Sequence, residues 1–237
     1  MRATEIRVVP STQQGDWTPL VEPPGLAGAG GAETTVFTSP DGNLTVGLWA
    51  REPDTWAFER PYDEVALILG GTADMEAEDG RVHELVPGTI LVTPNGAKGT
   101  WRIREPLTKC FVIYEGARGD DTRIRTIDAN AEHLPWTQIP TEPGDPTPPG
   151  EEAVVFRSLD GQAAVGLWRR APETGPMDLR DYHEVACLLQ GEVDVAIDGG
   201  QVLHVGPGDV LVTPRGSRAE WRARSPVRKL WAVYHGR

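Results

Sequence analysis

Only two cysteines, Cys110 and Cys187, occur in 237 residues. They do not occupy equivalent positions in the repeat described below, so no symmetric disulfide framework is expected and both read as free buried thiols of a reducing compartment. Basic residues are also short: 23 Lys and Arg against 35 Asp and Glu leave a formal net charge of −12. Such a charge repels phosphate backbones and anionic lipid, which sets aside nucleic acid and membrane as partners. Apolar runs long enough to span a bilayer are missing, and MRATEIRVVPSTQQ lacks the apolar centre of a signal peptide, so a cytoplasmic protein is expected. No stretch sustains a capped 3.6-residue period, which leaves little room for helix. Missing too are a Gly-x-Gly-x-x-Gly turn after a strand and a Gly-x-Ser-x-Gly elbow. The GAGGAETT segment at 28–35 has neither the Lys nor the Ser of a phosphate-cradling loop.

What is present is one module written twice. The text from Tyr62 to Gly116 returns from Tyr182 to Gly236 without a gap, at a constant offset of 120 that pairs Glu64 with Glu184, Gly71 with Gly191, Pro94 with Pro214, Trp101 with Trp221 and Lys109 with Lys229. Upstream the offset is 119, pairing Trp17 with Trp136, Phe37 with Phe156 and Gly47-Leu48-Trp49 with Gly166-Leu167-Trp168, so one residue is inserted between Trp168 and Tyr182. So long a period means two domains rather than a solenoid. The boundary is expected at 118/119, giving domains 1–118 and 119–237 on either side of a linker near Ala117–Asp121. Within each copy, short runs of Val, Ile, Leu, Trp and Tyr are cut by turn signals such as Asp41-Gly42, Gly70-Gly71, Asp79-Gly80, Pro87-Gly88 and Asn95-Gly96. That punctuation predicts an all-β antiparallel sandwich or barrel. TEIRVV at 4–9 and TRIRTI at 122–127 read as matching strands, and the Gly- and Pro-rich segments Val21–Ala32 and Thr141–Glu152 as loops.

Two spacings then carry a family resemblance. Glu-x6-Gly (Glu64 to Gly71, Glu184 to Gly191), followed by Gly-x5-Pro-x-Gly (Gly88, Pro94, Gly96; Gly208, Pro214, Gly216), resembles the two signature motifs of cupins. The Trp-x7-Lys spacing of Trp101 to Lys109 and Trp221 to Lys229 is similar to the branch that holds ureidoglycine aminohydrolase and the ethanolamine-utilisation cupin. The resemblance spans nearly the whole chain as a bicupin. It implies two tandem jelly-roll β-barrels from an internal duplication, each with a ligand cavity inside. It also implies a metal site of three histidines and a glutamate, and here the residues depart from it. With Glu64 and Glu184 as the family glutamate, the paired histidine positions hold Phe58 and Arg60, or Asp178 and Arg180. At the longer family spacing they hold Ala57 and Glu59, or Met177 and Leu179, and the second-motif histidine falls on Gly99 and Ala219. No metal or other cofactor is therefore expected.

In place of the histidines stands a repeated triplet, Arg60-x-Tyr62-x-Glu64 and Arg180-x-Tyr182-x-Glu184. Alternate strand residues share a face, so each triplet is expected to point into its barrel, the guanidinium supplying the countercharge that a metal otherwise would. A polar plug tying strands together is the plainer account of the same pair. Trp101 and Trp221 fall on the same face as an apolar wall or as core filling. Lys109 and Lys229, in apolar strands, either reach the cavity mouth or are solvated edge lysines, the plainer account, and His183, pointing away from Glu184, is expected at the surface or in an interface. The second copy has Asp178 and Glu220 where the first has Phe58 and Thr100, which predicts a more acidic second cavity. The expectation is a small-molecule enzyme, an isomerase or hydrolase of an anionic or ureido-type metabolite, with Tyr182 and Glu184 moving protons and Arg180, Asp178, Glu220 and Trp221 binding substrate. Arg60, Tyr62, Glu64 and Trp101 form the corresponding set of the first copy. A binding or sensing bicupin without turnover is the alternative. The apolar faces of Val65, Leu67 and Leu69 and of Val185, Cys187 and Leu189 need cover, and the two copies covering each other predicts a monomer or homodimer.

Overall fold

The computed structural model describes residues 5–10, 18–20, 30–139, 150–179, 181–197 and 200–236, with the backbone alone for Leu20, Asp178 and Leu179. Every regular element among them is a strand. In the first copy and its flanks these are β1 (Arg7–Val9), β2 (Thr18–Leu20), β3 (Gly31–Thr38), β4 (Leu44–Arg51), β5 (Thr55–Glu59), β6 (Asp63–Gly70), β7 (Ala73–Ala77), β8 (Val82–Leu85), β9 (Thr89–Thr93), β10 (Lys98–Ile103), β11 (Leu107–Tyr114) and β12 (Arg125–Asp128). The second copy runs β13 (Thr137–Gln138), β14 (Glu151–Arg157), β15 (Ala163–Arg170), β16 (Glu173–Leu179), β17 (His183–Gln190), β18 (Val193–Ile197), β19 (Val202–Val205), β20 (Val210–Thr213), β21 (Ser217–Ala223) and β22 (Val227–Tyr234). The first copy folds as a seven-stranded sheet β12-β9-β6-β11-β4-β3-β2 and a four-stranded sheet β5-β10-β7-β8. The second repeats the plan as β1-β20-β17-β22-β15-β14-β13 with β16-β21-β18-β19. This is the all-β arrangement that the strand-and-turn punctuation predicts, in the two tandem jelly rolls that the resemblance implies.

The outermost strands of the large sheets are lent across the repeat boundary. Val8 pairs with Leu211, so β1, from the head of the chain, completes the second copy, while Thr126 pairs with Leu91, so β12, which follows the first copy, completes that one. The compact units are accordingly Gln14–Asn130 with Ser158–Asp160, and Met1–Gln13 with Ala131–Arg157 and Gly161–Arg237. The two short strands read from the sequence at 4–9 and 122–127 are these lent strands. The segments read as loops end inside strands, at Gly31-Ala32 and Glu151-Glu152. Their remaining residues lie almost wholly outside those described.

Residue alternation explains which faces are buried. On β6, Ala66 and Ile68 enter the first barrel's core with Trp49, Trp56, Met75, Leu91, Trp101 and Phe111. Val65 and Leu67, on the opposite face, are buried as well, as are Val185 and Cys187 in the second copy. A strand buried on both sides carries an unbroken apolar run, which is what VALIL provides. The four-stranded sheets bury one face only. On β21, Ala219, Trp221 and Ala223 belong to or pack on the second core, whereas Arg222 and Glu220 point outward and pair with each other at 2.6 Å. Each copy also has register irregularities at two equivalent places: between β6 and β11 the register skips Leu69 and between β17 and β22 Leu189, while between β3 and β4 it skips Val36 and between β14 and β15 Val155. The unbulged β11 and β22 keep strict alternation against β4 and β15, which sets Lys109 opposite Trp49 and Lys229 opposite Trp168.

Candidate functional site

In the first barrel, Glu64 comes from β6 and Lys109 from β11, the strand beside it. Glu64 is 3% exposed and Lys109 5%. The Lys109 ammonium donates to Glu64 Oε1, and Arg60 Nη2 stands 3.0 Å from Oε2. Burial alone would raise the Glu64 carboxyl, but the Arg60 and Lys109 cations outweigh it and hold the group below its ordinary range. Burial pulls Lys109 down from its ordinary value despite Glu64. The ammonium lies 4.8 Å from the Trp49 ring centre and 5.3 Å from that of Trp101, close enough for cation–π attraction. Arg60 Nη1 donates to the Tyr62 hydroxyl at 3.4 Å. The remaining interior is filled by indole: Trp56 stacks on Trp101 with centroids 5.9 Å apart and planes 14° from parallel.

The second barrel repeats the pair. Lys229 Nζ donates to Glu184 Oε1 at 2.6 Å and sits 4.9 Å from the Trp168 ring centre and 5.3 Å from Trp221. Trp168 meets Trp221 edge-on, at 6.0 Å and 82°. Half-buried Tyr182 lies against His235, with centroids 5.5 Å apart. Burial first, then the charges of Glu184 and Glu152, push its phenol up to about 12. Thr213, opposite Glu184 on the ladder, is buried, and its hydroxyl has no partner among the described residues.

Several expectations change here. Lys109 and Lys229 are buried partners of the glutamates, not solvated edge residues, because strand alternation puts Lys109 on the core face with Leu107 and Phe111, and Lys229 on that of Val227, opposite Trp49 and Trp168. His183 is buried rather than at the surface, its Nδ1 accepting the Arg215 backbone N–H at 3.1 Å. Glu220 does not join an acidic cavity: one residue from inward-facing Trp221, it has the opposite parity and an Arg222 partner. Asp178 does not take the place of Phe58. Phe58 pairs with Gly99 and Met177 with the equivalent Ala219, while Asp178 pairs with Arg218 as Glu59 does with Lys98. The offset of 119 therefore persists to Leu179 and the inserted residue falls after it. Arg180 and the Asp178 side chain lie outside the described residues.

Sequence reasoning missed Glu33 and Glu152. Glu33 lies opposite Trp49 and Glu152 opposite Trp168 on their ladders. Glu33 acts electrostatically on Lys109 and on Tyr62, Glu152 on Tyr182. Burial raises the Glu33 carboxyl, with Lys109 opposing. Their signal was available in the upstream offset, which pairs them as it pairs the two tryptophans.

A cupin metal does not fit these residues. Both oxygens of Glu64 are engaged by cations, Lys229 holds Glu184, and among the described residues no group of three or more His, Cys, Asp or Glu could hold a metal ion. Elsewhere in the second unit, a cavity of about 480 Å³ is lined by Arg169, Arg170 and Arg228 with Glu132 and Glu151. Its guanidiniums are matched: Glu132 bridges Arg169 and Arg228, and Arg170 stands 2.8 Å from Glu173. Among the described residues, no helix is long and apolar enough to cross a membrane.

Solved structures share this fold. A protein of unknown function from Pseudomonas syringae pv. tomato is 21% identical over 84% of this chain and 85% of its own, with a TM-score of 0.67. Protein Ylba from E. coli is 12% identical over 98% and 92%, also at 0.67. HEPD from Streptomyces albus, solved with 2-hydroxyethylphosphonate and Fe(II) bound, is 11% identical over 98% and 76%, at 0.64. At these identities the likeness is one of fold. No curated protein matches the sequence. The EutQ-like cupin domain matches residues 38–111 and again 157–231, which is more than half of the chain and one match per barrel, and the chain belongs to that family.

Proposed function

We propose that the chain is a small-molecule enzyme that works inside its second barrel, moving protons in the isomerisation or hydrolysis of a small anionic or ureido-type compound. The observation that carries this reading is the part-buried Glu184–Lys229 pair beside Tyr182, its ammonium between Trp168 and Trp221, in a barrel whose Gly175 position meets no described neighbour. With its phenol pushed up to about 12, Tyr182 keeps its proton at neutral pH and serves as an acid. Glu184 serves as the base. Its carboxylate is restrained by the lysine, and the restraint loosens when Lys229 turns to an anionic group of the substrate. Lys229 thus takes the anchoring role that the triplet assigns to Arg180. The test is depletion of a panel of small carboxylates and ureido compounds by the purified chain, followed by mass spectrometry. Glu184→Gln and Tyr182→Phe are expected to slow it by roughly 10²-fold or more.

A binding or sensing module without turnover has one observation in its favour. The first barrel carries the same Glu–Lys pair although Trp56 fills the space beside it, so there the pair serves the fold. Compounds that stabilise the protein against heat and are never consumed favour this second reading.

A further inference from the structure

We propose that the ligand of the second barrel carries a flat, conjugated ring bearing a carboxylate, stacked on Trp221 where Trp56 stacks on Trp101 in the first barrel. The proposal rests on the reading of the second barrel as the site, and it names the substrate class. Trp56 and Trp101 are direct cross-strand partners, and so are Gly175 and Trp221. The two copies therefore hold the same ladder position, with an indole in one and a hydrogen atom in the other. A Cβ on Gly175 meets no atom of the described residues within 4 Å. A glycine inside a strand forfeits packing and marks a place where something approaches closely. The neighbouring inward position follows the same trend, Met177 standing where the first barrel has Phe58. Trp168 does not take up the vacated slot, since it meets Trp221 edge-on at 82°.

The polar groups around the slot ask for an acceptor. Trp221 is 6% exposed and its Nε1 has no partner among the described residues. Trp101 Nε1 is likewise unpartnered, but the copies differ at the threonine: Thr93 donates to the Glu64 carbonyl at 3.4 Å, whereas Thr213 has no partner among the described residues. Lys229 uses one N–H on Glu184 and has others to offer. An indole N–H and an ammonium beside one flat apolar face, with a hydroxyl opposite Glu184, suit an aromatic carboxylate, the face stacking and the carboxylate accepting.

Binding of benzoate and indole-3-carboxylate to the full chain, against cyclohexanecarboxylate as a saturated ring of the same charge, tests this by calorimetric titration. The flat acids are expected to bind at least about tenfold more tightly than the saturated one. Gly175→Trp is expected to abolish their binding while the protein stays folded by circular dichroism, and Gly175→Phe provides a smaller block should the tryptophan variant misfold. If flat and saturated acids bind equally and Gly175→Phe blocks both, the stacked ring is overturned and the second-barrel site stands. If neither acid binds at millimolar concentration, or if binding survives both substitutions, the ring and the site fall together.

Discussion

Two cations converge on the buried Glu64 carboxylate, so it is loss of the carboxylate that leaves charge uncompensated in the barrel. Glu64→Leu is expected to destabilise the protein by about 3 to 5 kcal/mol in urea unfolding. Lys109→Met is expected to cost less, since Arg60 still faces the carboxylate. The depressed Glu64 carboxyl fixes the sign of the pH dependence. The unfolded chain takes up this proton near its ordinary value of about 4.3, the folded one only at lower pH. The contribution is therefore complete above the unfolded value and is lost as pH falls through the folded one. Between about pH 5 and about pH 3, wild-type stability is expected to fall more steeply than that of Glu64→Gln. Tyr182 runs the other way at the alkaline end. Its folded pKa is raised to about 12, so its contribution is present below the unfolded value of about 10 and is lost as pH rises toward the folded one. Absorbance titration of the phenols is expected to show a late component that Tyr182→Phe removes.

At the scale of the element, the Glu-x6-Gly spacing has a local cause. Gly71 ends β6 at a φ of 77°, and a Cβ there would stand 2.1 Å from the Pro106 carbonyl oxygen; Gly191 repeats this at 85° and 2.5 Å from that of Pro226. The strand must turn under a neighbouring backbone, and only glycine permits both the angle and the approach. Gly71→Ala is expected to cost at least about 2 kcal/mol. Gly80→Ala, at a similar φ of 81° but in open space, is expected to cost nearer 1 kcal/mol. Melting of the two variants side by side separates the clash from the dihedral. The inward reach of the lysines also belongs to this scale. Lys109 alternates in step with core residues Leu107 and Phe111, and Lys229 with Val227, so parity turns both inward, while the cation itself, in an apolar strand, gives no local sign of the glutamate on the next strand.

For the whole molecule, the duplication has left an indole, Trp56, in one barrel and a glycine, Gly175, at the same ladder position of the other. Trp56→Ala is expected to lower stability by about 3 to 5 kcal/mol and to leave substrate depletion unchanged. Tyr182→Phe is expected to do the reverse, with little change in melting and a loss of turnover. Activity lost in Trp56→Ala under conditions where it remains folded would contradict this division. We expect the chain to be a monomer or a homodimer, and a stable hexamer in light scattering would overturn that.

The constant offsets, the strand-and-turn punctuation and the two motif spacings were enough to determine an all-β bicupin, because register and turn chemistry are written residue by residue. Strand parity likewise placed Glu64 and Glu184 with Trp101 and Trp221. What only the tertiary structure decided is which residues from distant strands meet. Lys109 reaches Glu64 across 45 positions of sequence, β1 joins the sheet of the second copy, away from β2, and the cross-strand ladder locates the inserted residue beyond Leu179. That ladder sets Gly175 rather than Asp178 against the site, since the alignment of two strands depends on hydrogen bonds between them and not on the text of either.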